Sequence, residues 1–211
     1  MSEREVHRAL AACAPPAVIL EEDLAVEVIR AYGSPGRHYH TVDHVVNVAR
    51  EYAAVASGPG WRRPVDVFAA VLAHDAVYDV ARTDNEARSA DLGREWAARL
   101  GADADRTAAL VLATATHVGG GAIDDDPDTA LFLDCDLAIL GAAPDVYDAY
   151  EAAIAREYAP VAPEPMFRAG RGAFLAKLLA CPTPFHTAWF TARYGAAARS
   201  NLERAARALA P

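Results

Sequence analysis

The chain has one lysine, Lys177, so arginine carries nearly all of its positive charge, and the formal net charge is −9. That balance repels a polyanion and argues against wrapping an extended nucleic-acid backbone, while leaving room for a small phosphate at a local cluster of cations. Cysteine is scarce as well. Cys13, Cys135 and Cys181 are odd in number, far apart and without a CxxC pair, which argues against both a disulfide framework and a thiolate zinc site. They are expected as small core residues. No apolar run reaches the length needed to span a bilayer, and Met1-Ser-Glu-Arg-Glu5 lacks the basic start and apolar core of a signal peptide. A cytoplasmic protein with no membrane partner is therefore expected. No stretch alternates as a strand would, and there is no repeat, linker or low-complexity segment.

What is present is helix, punctuated by proline and glycine. With 211 residues, 53% of them hydrophobic, the chain fits one large domain whose interior can hold a polar site. Apolar spacing predicts helices over 19–32 and from about Val42 to Gly58, with Arg37-His-Tyr-His40 in the loop between them. A central helix follows from Pro64 to Asp79. Thr83-Asp-Asn-Glu86 reads as a capping box opening a helix to about Leu100. Further helices are predicted over 103–117, 130–140, 145–158, 164–180 and about 194–209, and Gly119 to Asp126 reads as an acidic, mobile loop. The expected fold class is all-α, a single domain over 1–211.

The stretch from Pro64 to Asp79 organises the rest. At 100° per residue, Val65, Phe68 and Leu72 share a stripe that runs on to Asp75 and Asp79, and Val67 and Val71 share one that runs on to His74. His74 and Asp75 thus point where apolar side chains point. An imidazole and a carboxylate buried together cost several kcal/mol unless something pairs with them; a divalent cation would satisfy both. The alternative is an Asp75 that takes a buried arginine beside a His74 hydrogen-bonded in the core. Other polar residues interrupting apolar helices are His44, Asp134, Asp136 and His117. A nitrogen and oxygen donor set without thiolate suits Mn, Fe, Co, Ni or Mg, with Zn admissible. Spacing does not choose between Asp134 and Asp136, because the residues three and four away from each are apolar.

The order His44, His74-Asp75, Asp136 resembles the H…HD…D pattern of the HD superfamily of metal-dependent phosphohydrolases. More specifically, Arg37-His-Tyr-His40 with His44, then His74-Asp-Ala-Val-Tyr-Asp79, Asp84-Asn-Glu86 with Ser89-Ala90, and Asp134-Cys-Asp-Leu-Ala-Ile-Leu-Gly141 are similar to one family of predicted HD phosphohydrolases. The likeness runs from about residue 30 to the C-terminus and takes in Arg156-Glu-Tyr158, Gly170-Arg171 and Arg199-Ser-Asn-Leu202. It departs at Thr41, where Asn is expected, and at Gly195, where an acidic residue is more usual. The resemblance implies a helical HD fold, with its motifs over about 30–141 and further helices over 144–209. It also implies a metal held by His44, His74, Asp75 and Asp136, which leaves Asp134 outside the ligand set.

Several other residues are candidates for the surrounding chemistry. Arg37 and His38 stand in a loop where they can meet a phosphate; the alternative is a solvated loop. Glu86 can orient a metal-bound water or serve only as a helix cap. His40 and His117 are the extra histidines that a second metal would need, and Lys177 can neutralise a phosphate or sit as a snorkelling surface residue. Asp79, four residues after Asp75 on a continuing helix, would face the edge of the site as a general base; the alternative pairs it with Arg82. The expected activity is hydrolysis of a phosphoester or phosphoanhydride bond in a small, nucleotide-like substrate. Two rivals are a di-iron HD-type oxygenase and a non-catalytic, metal-containing nucleotide-binding module.

Overall fold

Pro64 opens the central helix, where its missing N–H has no intrahelical partner to lose, and from Asp66 to Ala73 every residue is buried. The computed structural model describes residues 1–116 and 126–209, and these are helical with no strand among them. In chain order the helices are α1 (Glu3–Cys13), α2 (Glu22–Tyr32), α3 (Val42–Ala56), α4 (Pro64–Ala73), α5 (Asn85–Leu100), α6 (Ala104–Ala113), α7 (Pro127–Leu137), α8 (Pro144–Tyr158), α9 (Glu164–Ala180) and α10 (Ala188–Leu209). Helix α4 is the core, packed by α3, α5, α6 and α7. Its Val67, Phe68, Val71 and Leu72 are fully enclosed, and each such side chain contributes about 1.5–3 kcal/mol. Helices α1 and α2 cover α3, and α10 packs on α8 and α9.

The central helix is shorter than its apolar pattern predicts, ending at Ala73 rather than Asp79. Side chains claim the backbone groups that would continue it. His74 Nδ1 takes the Val71 carbonyl at 2.9 Å, and Arg37 donates to the carbonyls of Asp75 at 2.7 Å and Ala76 at 2.9 Å. Ser89 Oγ then accepts the Val77 N–H at 3.0 Å. The chain therefore turns away directly after the His-Asp pair, leaving both side chains at a helix end.

Other boundaries also shift. Helix α5 starts at Asn85 after Asp84, so Glu86 does not close a capping box with Thr83; the Asp84 carboxylate instead grips Arg82 at 2.6 Å through both oxygens. Helix α10 begins at Ala188, six residues before the expected Tyr194. Helix α1, absent from the sequence expectations, carries a complete Ser2 and Glu5 capping box and buries Val6 and Leu10.

The turn Ala138–Gly141 that follows α7 is pinned by α10. Asn201 Nδ2 donates to the carbonyls of Leu140 and Ala142, both at 2.9 Å. A Cβ on Gly141 would lie 2.5 Å from Tyr194 Cβ, so the close approach of α10 requires glycine there.

Candidate metal centre

Three helices bring four side chains to one point. His44 comes from the first turn of α3, His74 and Asp75 from the end of α4, and Asp136 from the last turn of α7. One ligand atom from each lies within 4.8 Å of all the others, and this group could hold a metal ion. His44 Nε2 is 2.9 Å from His74 Nε2, 3.3 Å from Asp75 Oδ2 and 3.3 Å from Asp136 Oδ1. His74 Nε2 is 3.3 Å from Asp75 Oδ2 and 3.8 Å from Asp136 Oδ1.

These spacings suit a shared cation. Donors bonded at about 2.1 Å to one ion sit roughly 3 to 4.2 Å from one another. Because His74 Nδ1 donates to the Val71 carbonyl, its Nε2 carries the lone pair toward the cluster. Burial lowers the His74 pKa below its ordinary value, against the pull of Asp75 and Asp136. Burial alone would lower His44 too, but its hydrogen bonds to Asp136 and Asp75 prevail and raise it to about 9. Burial opposes ionisation of Asp75, yet the imidazoles of His74, His40 and His44 outweigh it and hold the carboxyl below its ordinary range. The cluster therefore favours positive charge at its centre, which a divalent cation supplies.

Asp134, which spacing could not separate from Asp136, has a different function in the fold. It is fully buried and accepts the N–H groups of His186 and Thr187 at 2.7 and 2.8 Å and the Thr187 hydroxyl at 2.6 Å. It thereby fixes the two residues that precede α10, whose first turn is capped by the Thr187 hydroxyl accepting the Phe190 N–H at 3.3 Å. Burial raises its pKa, against these hydrogen bonds.

The sequence left Glu157 without a role. It is 1% exposed. Its Oε1 accepts the backbone N–H groups of His38, Tyr39 and His40 at 2.7, 2.7 and 3.0 Å, and its Oε2 accepts His40 Nδ1 at 2.8 Å. His40 Nε2 then lies 4.0 Å from Asp75 Oδ2, with its ring stacked on Tyr78 at 4.0 Å. The signal was available: Tyr147, Tyr150, Ile154 and Glu157 form the buried stripe of α8 at helical spacing. A carboxylate on that stripe is the same pattern that singles out Asp75.

Asp75 and Asp136 open onto a cleft of about 870 Å³, which Glu86, Arg171 and Lys177 also line. Lys177 is exposed and Glu86 half-buried. Arg171 is buried, gripping both oxygens of Glu151 and the Tyr150 hydroxyl at 2.8 to 3.0 Å. Arg37 and His38 border a different hollow, beside Ser34 and Thr41. The Arg37 guanidinium clamps the carbonyls of His40, Asp75 and Ala76. Asp79 is exposed, beyond the end of α4 rather than on its face, and its carboxylate accepts the Ala81 N–H at 2.9 Å in a local turn. Arg82, its partner in the alternative reading, pairs with Asp84 instead. His117 lies outside the described residues.

No family model, curated protein or solved structure matches the chain. Among the described residues, no helix is long and apolar enough to cross a membrane.

Proposed function

We propose that the protein is a metal-dependent phosphohydrolase of the HD type, cleaving a phosphoester or phosphoanhydride bond in a small substrate. The observation that carries this reading is the group His44, His74, Asp75 and Asp136 at the end of an open cleft. All four donors are nitrogen or oxygen, which suits Mn, Fe, Co, Ni, Mg or Zn.

When bound, a divalent cation lowers the pKa of a coordinated water toward neutrality and polarises a phosphoryl oxygen. The chain's own residues do the positioning. Val71 fixes the His74 tautomer, so the lone pair faces the ion. Glu157 locks the His40 ring beside Asp75, with Nε2 toward the cleft, where it can bind a phosphoryl oxygen or hold a proton. Glu86 lines the same cleft, and in this reading it takes a proton from the attacking water. Lys177 brings positive charge to the same cleft, offsetting that of the phosphate, whereas the Arg171 guanidinium there is paired with Glu151.

The test is hydrolysis of 4-nitrophenyl phosphate and bis(4-nitrophenyl) phosphate by protein loaded with Mn²⁺. The reading expects turnover that stops on chelation, returns on adding metal, and is absent in Asp136→Asn. Chelator-insensitive turnover, or equal rates in Asp136→Asn, would overturn it.

A further inference from the structure

We propose that the organic group of the ligand is apolar, an aryl or alkyl group, and that it lies in a notch at Gly170 on α9. The inference rests on the phosphohydrolase reading for what the ligand's other end is, and it deepens that reading by naming the class of ester.

Helix α9 presents Phe167, Gly170, Phe174 and Lys177 to the cleft that Asp75 and Asp136 also line. Their spacings of three, four and three place them in one stripe along the helix. Phe167 and Phe174 are half-buried, one turn to either side of Gly170. A Cβ added at Gly170 would meet no atom within 4 Å, and its φ is not among the positive ones. Neither packing nor backbone conformation therefore calls for glycine, which is disfavoured inside a helix relative to alanine. What the missing side chain leaves is open space on the cleft wall, one turn from Phe167 on one side and on the other from Phe174, whose ring the Arg171 guanidinium covers at 4.5 Å.

The facing wall has the same character. Helix α8 contributes Tyr150, Ile154 and Tyr158 at intervals of four, and the Tyr158 and Phe167 rings approach to 6.0 Å. The Arg171 guanidinium within this region already serves Glu151 and the Tyr150 hydroxyl. A sugar or glycerol moiety laid here would lose water and find few free partners for its hydroxyls, whereas an apolar group gains from the same desolvation.

The experiment compares 1-naphthyl phosphate and octyl phosphate with glycerol 3-phosphate, using Mn²⁺-loaded protein. The expected kcat/KM is at least about tenfold higher for the two apolar esters, the scale on which apolar pockets discriminate. Gly170→Leu fills the notch and should lower kcat/KM for 1-naphthyl phosphate by about tenfold, mainly through KM, while glycerol 3-phosphate changes by less than about twofold. Gly172→Ala, on the same helix but not lining the cleft, should change neither. Equal or better hydrolysis of glycerol 3-phosphate, or equal loss for all esters in Gly170→Leu, overturns the proposal. Fluorescence titration with 1-naphthol needs no hydrolysis and separates the two claims. Binding that Gly170→Leu weakens supports the notch even if no ester is cleaved, in which case only the phosphohydrolase reading falls. Absence of 1-naphthol binding to wild-type protein overturns the notch.

Discussion

Glu157 and His40 are 117 residues apart in sequence and joined by a 2.8 Å hydrogen bond from His40 Nδ1 to Glu157 Oε2. Through its other oxygen the same carboxylate holds three successive backbone N–H groups of the loop that leads into the His44 helix. One buried side chain on α8 thus sets the loop, the ring beside Asp75 and the approach to α3.

That arrangement makes the stability of the protein depend on pH in a defined window. Burial would raise the Glu157 pKa, but the bonds from His40 and from the loop N–H groups outweigh it and lower the value from 4.5 to about 2. The folded value lies below the unfolded one, so the contribution is complete above about 4.5 and is lost as the pH falls toward 2. At pH 7, Glu157→Gln should lower unfolding free energy by about 1–3 kcal/mol, the range for a buried charged hydrogen-bonding group. In urea titrations from pH 7 to 3, the gap between wild type and variant should narrow below pH 4.5; a constant gap would contradict the assignment.

Asp134 and Asp136 should fail in opposite ways. Asp134 holds His186 and Thr187, the residues just before α10, so Asp134→Asn should cost roughly 1–3 kcal/mol of stability. Its metal content should match wild type. A loss of bound metal in Asp134→Asn beyond that in Asp136→Asn would show that the wrong carboxylate has been placed at the centre.

Glu86 and Asp79 offer a test of the proton-handling group. Glu86 lines the cleft, whereas the Asp79 carboxylate is occupied by the Ala81 N–H. At unchanged metal content, Glu86→Gln should reduce turnover of an aryl phosphate by about 10²-fold, as is usual for general acid–base groups. Asp79→Asn should stay within about twofold of wild type. The reverse pattern would restore Asp79 to the chemistry.

The sequence made most of the helices legible because most bury one stripe, α4 being buried nearly all round, and it made His74 and Asp75 legible because they interrupt apolar faces. Two kinds of information were hidden. The end of α4 depends on Arg37, Ser89 and the His74 ring taking backbone groups, and the Arg37 and Ser89 contacts come from outside the helix itself. The start of α10 depends on Asp134, more than fifty residues upstream. Local pattern does not report such partners. Asp79 was misplaced for that reason: extrapolating a helix past Ala73 put it on a face that does not exist. Glu157 was different, since its position on the buried stripe of α8 was visible and simply carried no assignment.

The central claim is that His44, His74, Asp75 and Asp136 hold a divalent cation, and elemental analysis of protein purified without chelator tests it most directly. Wild-type protein should carry about one equivalent or more of a transition metal or Mg²⁺, or take it up from added Mn²⁺, and Asp136→Asn and Asp75→Ala should lose it. Asp75→Ala should also unfold more readily, because the remaining ligands are left imperfectly paired. Wild-type protein that is metal-free and binds no added Mn²⁺, Zn²⁺ or Fe²⁺ would contradict the account.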